Sequence, residues 1–424
     1  MRCSFLWAAA LLVACAPVRE IGDEELLDRV ERATISYFTD FADPATGLAR
    51  ERDRDQNGNI VTVGGSGFGI MAVIAGAERG YYPREEGVKL IGKMLGSLET
   101  LERFHGAWAH WYDADSLRPF SFSRYDDGGD LVETAFLVQG LLTAREWLRE
   151  ENPALAERCN RLWEGVEWDW YTQGTDSLYW HWSKNYGFRM NHRIKGYDET
   201  LITYVLAASS PTHPITRKCY EASYKTSKTY YNGKEYYGIT LPLGMELGGP
   251  LFFCHYSFLG LDPRGLCDGY TNYFEQNRAH TLIHRAYALD NPKGHTGYGE
   301  NLWGFTSSDD PYLGYCSHHP GTDSENGTIS PTAAISSIVY TPQQSLQLMR
   351  HLYEEMPASF GPYGFYDAVN PGYSPAVLDH YLAIDQGPQA VMIENYRSGL
   401  LWNLFMQAPE IQSGLKKLGF YYDK

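Results

Sequence analysis

The sequence predicts an all-α protein, and three observations carry that prediction. Apolar residues recur at three- and four-residue intervals along most of the chain, no regular β-α-β alternation is present, and the connecting segments are long and rich in Gly, Tyr and Trp. About twelve helical segments result. An even dozen suits a toroid of six helical hairpins capped by long loops on one side; an irregular helical bundle would show the same periodicity.

The first helix is predicted over 24–40, where Leu26, Leu27, Val30, Ala33, Tyr37 and Phe38 fall on one face. The same pattern predicts helices around 67–79, 84–104, 131–150, 154–166, 198–208 and 214–226. It continues at 266–289, 332–339, 342–355, 387–407 and 409–417. Between them run the connections 106–129, 167–197, 227–265, 290–331 and 357–386. Long ordered loops in a compact domain are usually functional, and no Pro/Ser/Gly linker divides the chain, so residues 24–424 read as one domain.

The start of the chain reads differently. Arg2, an apolar run from Phe5 to Ala14 and the tetrad Leu12-Val13-Ala14-Cys15 describe a lipoprotein signal peptide over 1–14. Cys15 becomes the lipidated residue and 15–23 a tether, which places the protein outside the cytoplasm, anchored on a membrane or cell surface. An ordinary cleaved signal is the plainer alternative. The five cysteines beyond Cys15 include no CxxC pair and are expected to be core thiols, with at most two disulfides.

Composition narrows the ligand. The 36 Lys and Arg stand against 52 Asp and Glu, a formal net charge of −16, which speaks against nucleic acid as a partner. Eighteen Phe, 11 Trp and 32 Tyr make 14% of the chain aromatic, and such surfaces suit a neutral polyhydroxylated ligand. No Walker, dinucleotide or GxSxG pattern occurs, so the reading needs no cofactor and no metal, and the protein is expected to be a monomer.

Three Gly-assisted carboxylates stand at three predicted helix starts. In Asp126-Asp127-Gly128-Gly129-Asp130-Leu131-Val132-Glu133 the two glycines allow a tight turn, with Asp130 at the N-cap and Glu133 three residues on. This spacing is close to a capping box and explains itself structurally; it also projects carboxylates from a helix end, where the dipole favours the ionised form. Gly196-Tyr197-Asp198-Glu199 repeats the device before Leu201. Glu199 is either a first-turn acid or, walled by Tyr and Trp, a proton donor of raised pKa. Asp385-Gln386-Gly387-Pro388 reads as a third N-cap, with Pro388 in the first turn.

Weaker patterns receive plain readings. Asp53-Arg54-Asp55-Gln56-Asn57-Gly58 begins like a calcium loop, but its twelfth position is Gly64, so it reads as a polar turn. His280 and His284 share a helix face without the metalloprotease Glu. Trp168-Asp169-Trp170-Tyr171 and Tyr179-Trp180-His181-Trp182 fit core or strand alternation. The loop Tyr298-Gly299-Glu300-Asn301-Leu302-Trp303-Gly304 instead offers an aromatic platform, with Tyr298, Glu300 and Trp303 as substrate contacts beside Asp126.

Several segments together resemble the bacterial glucoamylase-like glycoside hydrolases, the group that contains β-1,2-glucanases. They are Tyr125 to Phe136, Leu206 to Ile215, Gly297 to Gly304, Gly327 to Ala334 and Asp385 to Trp402, in that order along most of the chain. The resemblance implies an (α/α)6 toroid and hydrolysis of β-1,2-glucan to sophorose or short sophoro-oligosaccharides with inversion. It places Glu199 on the family's general acid, Asp130 and Glu133 on its essential acidic pair, and Asp385 on a further acidic cleft position. Tyr197-Asp198 and Thr200, beside Glu199, depart from the more usual Trp-Asn and Ala, and leave endo and exo action both open. Another glucan linkage, or glycan capture without catalysis, is the competing expectation.

Overall fold

The computed structural model describes residues 21–54 and 59–423. The signal peptide, Cys15, tether residues 15–20 and positions 55–58 of the polar turn lie outside the described residues. Thirteen α-helices are present among those described: α1 (Asp23–Thr39), α2 (Val63–Glu78), α3 (Arg84–Thr100), α4 (Leu131–Leu148), α5 (Pro153–Glu164), α6 (Leu201–Ser209) and the single turn α7 (Arg217–Cys219). They continue as α8 (Tyr273–Asp290), α9 (Pro331–Ser336), α10 (Pro342–Glu355), α11 (Ala383–Arg397), α12 (Leu400–Phe405) and α13 (Pro409–Leu418).

Their contacts close into a ring. Helix α2 packs on α4, α4 on α6, and α6 on the 3-10 turn Tyr256–Phe258; the adjoining turn Leu251–Cys254 packs on α9, α9 on α11, and α11 back on α2. An outer layer covers it, with α1 and α3 on α2, α5 on α4, α13 on α6, α8 on Leu251–Cys254, α10 on α9, and α1 again on α11. This is the six-membered toroid. The inner helices α2, α4, α6 and α9 are buried almost throughout, so apolar and small residues occupy most of every face and the polar ones, such as Glu133 and Gln139 of α4, are bonded inside, whereas outer helices such as α5 and α10 keep an apolar stripe and a charged face.

The closest approach in the ring is made by glycine. A Cβ on Gly67 of α2 would lie 2.4 Å from the Phe136 carbonyl oxygen of α4, and one on Gly140 would lie 2.2 Å from the Gly67 carbonyl oxygen. Backbone therefore meets backbone, which no side chain would permit. The buried Gln139 side chain ties α4 to the sixth ring member, donating to the Tyr256 carbonyl at 2.9 Å and accepting from Gly260 N at 2.7 Å.

Four differences from the expected elements have local causes. The sixth inner member, 251–258, was expected to be loop: in Leu-Phe-Phe-Cys-His-Tyr-Ser-Phe the only polar residues, His255 and Ser257, alternate with aromatics and set no 3.6-residue period. The helix expected at 266–289 begins only at Tyr273, where the Asn272 side chain caps it, because Leu266–Cys267 pairs as a strand with Tyr421–Tyr422. The helix expected at 387–407 starts at Ala383 and breaks at Ser398-Gly399, with Gly399 at φ 71°, into α11 and α12. The segment expected helical over 214–226 is α7 followed by one π turn, Tyr220–Tyr224. All five cysteines beyond Cys15 are free thiols.

Candidate active site

The N-terminal ends of α2, α4 and α6, with the first turn of α11, converge on one mouth of the ring. They enclose a cleft of about 240 Å³ lined by Glu51, Arg52, Thr62, His110, Trp111, Phe122, Glu133, Phe136, Trp180, Glu199, Phe252, Tyr256, Tyr315 and Ile384. A larger surface groove, about 870 Å³, lies on the outer helices α1 and α3, but its acids Asp40 and Glu86 are exposed and nothing there would tune a carboxyl for chemistry.

Asp130 is held by two short strands, Gly129–Asp130 and His181–Trp182, which pair antiparallel with Asp130 opposite His181. The glycines before it are required by contact rather than by turn geometry. A Cβ on Gly128 would lie 2.3 Å from the Trp182 carbonyl oxygen, and one on Gly129 would lie 2.2 Å from the Tyr171 hydroxyl. Asp130 is fully buried and caps α4: its Oδ1 accepts from Val132 N and Glu133 N, both at 2.9 Å. Its Oδ2 lies 3.1 Å from His110 Nδ1 and accepts from Trp180 Nε1 at 3.2 Å. Burial alone would raise its pKa, but the hydrogen bonds and the positive His110 outweigh it and hold the carboxyl below its usual value.

Glu133 completes only half of a capping box. Its carboxylate turns away from its own helix and accepts from Gly64 N at the start of α2, at 2.8 Å. A Cβ on Gly64 would lie 2.5 Å from that oxygen. Burial pushes the Glu133 pKa up to about 7, against the pull of His110. Asp126 rises to about 7 as well, from burial and the neighbouring Asp130 charge. His110 lies among these three acids, 3.9 Å from Glu133 Oε1 and 4.0 Å from Asp126 Oδ2. Burial opposes its protonation, yet the surrounding negative charge lifts its pKa to about 10, so it is an imidazolium at neutral pH. It stacks on Phe122 with ring centroids 4.4 Å apart.

Glu199 lies in the turn before α6, not within the helix, because Asp198 Oδ1 accepts from Thr200 N and delays the start to Leu201. It faces the cleft half-buried. Burial of the carboxyl and the adjacent Asp198 charge push its pKa well above the usual carboxylate range. Asp385 is not the N-cap expected. Leu382 occupies that position, and Asp385 lies in the first turn, so Pro388 falls inside α11. Its carboxyl is buried just beneath the cleft wall and raised to about 7 by burial and the charges of Asp309 and Glu51. Glu133, Glu199 and Tyr256 line the cleft, and Asp385 follows the lining residue Ile384, with its charge felt by Tyr256.

The aromatic platform lies elsewhere than expected. Trp303 is fully buried in the core, Tyr298 packs on Phe305 and His295, and Glu300 is exposed in an ion pair with Arg285; none of them lines the cleft. Trp111, Phe122, Trp180, Phe252, Tyr256 and Tyr315 line it instead. Trp180 belongs to a segment whose pattern fits core or strand alternation, and its neighbours His181 and Trp182 do form a strand. His110, Glu51 and Arg52 carry no helix-start signal and were missed; a His between Trp108 and Trp111 in a Gly- and Trp-rich loop was the available clue. His280 and His284 are buried on one face of α8, both with Nε2 near the Gly249 carbonyl, as a structural pair.

Residues 191–409 match the glycoamylase family, described as "Putative glucoamylase", and residues 29–192 match a family of unknown function, DUF3131. The chain belongs to this glucoamylase-like family. A curated exo β-1,2-glucooligosaccharide sophorohydrolase (non-reducing end) from Parabacteroides distasonis is 44% identical over 421 residues, which is 93% of this chain. The chain spans 58% of that relative's length. The solved structure of an endo-β-1,2-glucanase from Chitinophaga pinensis, in complex with sophorotriose and glucose, is 47% identical. It has a TM-score of 0.92 and covers 95% of this chain and 99% of its own. A Bacteroides uniformis crystal structure carrying the same glucoamylase description is 50% identical, TM-score 0.92, over 95% and 99% of the two chains.

Proposed function

We propose that this chain hydrolyses β-1,2-linked glucan, releasing sophorose or short sophoro-oligosaccharides by an inverting acid–base reaction. One observation carries the reading: carboxyls of opposed readiness surround a single aromatic-lined cleft. Glu199 holds its proton at neutral pH and can deliver it to the glycosidic oxygen. The water-activating base must be an ionised carboxylate with an unengaged oxygen on the other side of the sugar. Asp130 is ill suited to that task, since both its oxygens already accept hydrogen bonds and its pKa is low. Asp385, with a pKa near 7, fits it better.

The sugar's C–H faces would stack on Trp111, Trp180 and Tyr315 while the His110 cluster bonds hydroxyls. Support for the linkage comes from the relatives, one acting on β-1,2-glucooligosaccharides and another bound to sophorotriose. The test is linkage-resolved product analysis on β-1,2-, β-1,3- and α-1,4-glucans, with wild type beside Glu199→Gln. Sophorose-series products from β-1,2-glucan alone, released first as the α-anomer and reduced by about 10²-fold or more in the variant, are expected. Full hydrolysis by Glu199→Gln, or release from the α-1,4-glucan instead, overturns the proposal.

A further inference from the structure

Asp367 is fully buried in the loop after the strand Gly364–Phe365, outside every motif above. Its Oδ2 accepts from Asp309 N at 2.8 Å, and its carboxyl hydrogen-bonds the carboxyl of Asp385. Asp367 Oδ1 and Asp385 Oδ2 are both buried and receive nothing from any N–H or hydroxyl. Two carboxyls in contact cannot both ionise, so one proton is held between them. The groups facing the pair are Glu51, Arg52, Asp309, Tyr256 and Tyr315, with His380 behind Asp309.

Asp309 is unsuited to hold that proton. It is paired with Arg52 at 3.1 Å and with His380 Nδ1 at 2.7 Å, which keeps it ionised. Of the two remaining partners, Asp367 is the more enclosed and faces the charges of both Asp385 and Asp309, so the proton lies on Asp367.

We infer that Asp367 is a positioning residue: as a neutral acid it donates a hydrogen bond to Asp385, orients that carboxylate and keeps it ionised to receive a proton from the attacking water. The inference rests on the proposed role of Asp385. No bond to Asp367 forms or breaks in the reaction; the water proton goes to Asp385, and the proton of Glu199 goes to the departing oxygen.

The test compares Asp367→Asn, Asp367→Ala and Asp385→Asn on β-1,2-gluco-oligosaccharides, reading kcat, KM and the pH profile of kcat/KM, with the thermal midpoint as a folding control. A protonated Asp and an Asn present the same donor and acceptor. Asp367→Asn is therefore expected to stay within about 5-fold of wild type in kcat, with its acidic limb in place. Asp367→Ala is expected to lose about 10²-fold in kcat with KM little changed, since a general base is worth ~10²–10⁴-fold. Its acidic limb should move up in pH, because Asp385 loses the bond that favours its ionised form. An Asp367→Asn as inactive as Asp385→Asn, or an Asp367→Ala whose limb stays put, overturns the inference. Full activity in Asp385→Asn overturns the assignment of the base instead. Should Asp367→Ala not fold, Asp367→Asn still decides between a neutral donor and an ionised acid.

Discussion

Asp130 and Asp385 are both buried carboxyls at one mouth of the same ring, yet they titrate in opposite directions. The difference lies in their donors. Asp130 collects two backbone N–H groups, the Trp180 indole and the His110 imidazolium, while Asp385 has chiefly other acids around it. His110 in turn owes its charge to Asp130, Glu133 and Asp126. Asp130→Asn keeps an N-cap oxygen for Val132 N and Glu133 N but turns an amide NH2 toward the Trp180 and His110 donors, so stability should fall by about 2 kcal/mol. Removing the charge should lower the His110 pKa from about 10 by at least one unit, visible in an NMR titration of its ring protons. An unmoved His110 would mean that Glu133 and Asp126 alone sustain its charge. Asp130 and Glu133 were legible in sequence because a Gly-Gly-Asp-x-x-Glu run has few uses. Trp303 misled for a physical reason: glycines and polar residues on both sides signal a loop, but a loop can still turn its Trp inward, and this indole is wholly buried.

Among elements, the ring depends on α2 and α4 meeting backbone to backbone. Gly140→Ala would bring a methyl to 2.2 Å from the Gly67 carbonyl oxygen, and neither helix can yield without disturbing its other neighbours. Overpacking of this kind costs about 3 kcal/mol, read as a drop in the urea midpoint at unchanged m-value. Because Gly64 N at the head of α2 holds Glu133, the same variant should lose activity before it unfolds. A wild-type midpoint would show that the helices can separate freely. Most helices were legible because outer elements keep a 3.6-residue stripe and inner ones run apolar between Gly and Pro. What failed was segmentation inside apolar stretches. Leu251–Phe258 carries only His255 and Ser257 as polar residues, two apart and both buried, which marks no helical period, and the Ser398-Gly399 break interrupts a face that stays apolar across it.

For the whole molecule, the toroid gathers acids that cannot all be ionised, and this fixes the pH at which it is most stable. The partners that raise these acids were hidden from sequence, since Glu31 meets Glu394 and Asp385 meets Glu51 and Asp309 only through the folded ring. Glu31, at the far side of the ring from the cleft, is raised to about 8 by burial and by Glu394, despite its bond to Arg397. Asp126, Glu133 and Asp385 are raised to about 7, and burial also pushes Glu199 and Asp367 well above the usual carboxylate range. His110 is raised to about 10, from an ordinary 6.5. Each folded-state pKa exceeds its unfolded value, so each stabilising contribution is complete below the unfolded pKa and fades as pH climbs through the folded one. For the carboxyls that window runs from about pH 4 to 8. Asp43, Asp130, Asp309 and Asp310 are lowered and act in the other sense, losing their contribution as pH falls below about 4. Greatest stability is therefore expected near pH 5, on the acid side of neutrality, in a chain whose net charge is already −16. Calorimetry from pH 4 to 9 at fixed ionic strength should show the thermal midpoint declining steadily between pH 5.5 and 8. A midpoint that rises over that interval would mean the cleft acids are solvated and ionised in the folded protein, and with them would fall the protonated Glu199 that hydrolysis requires.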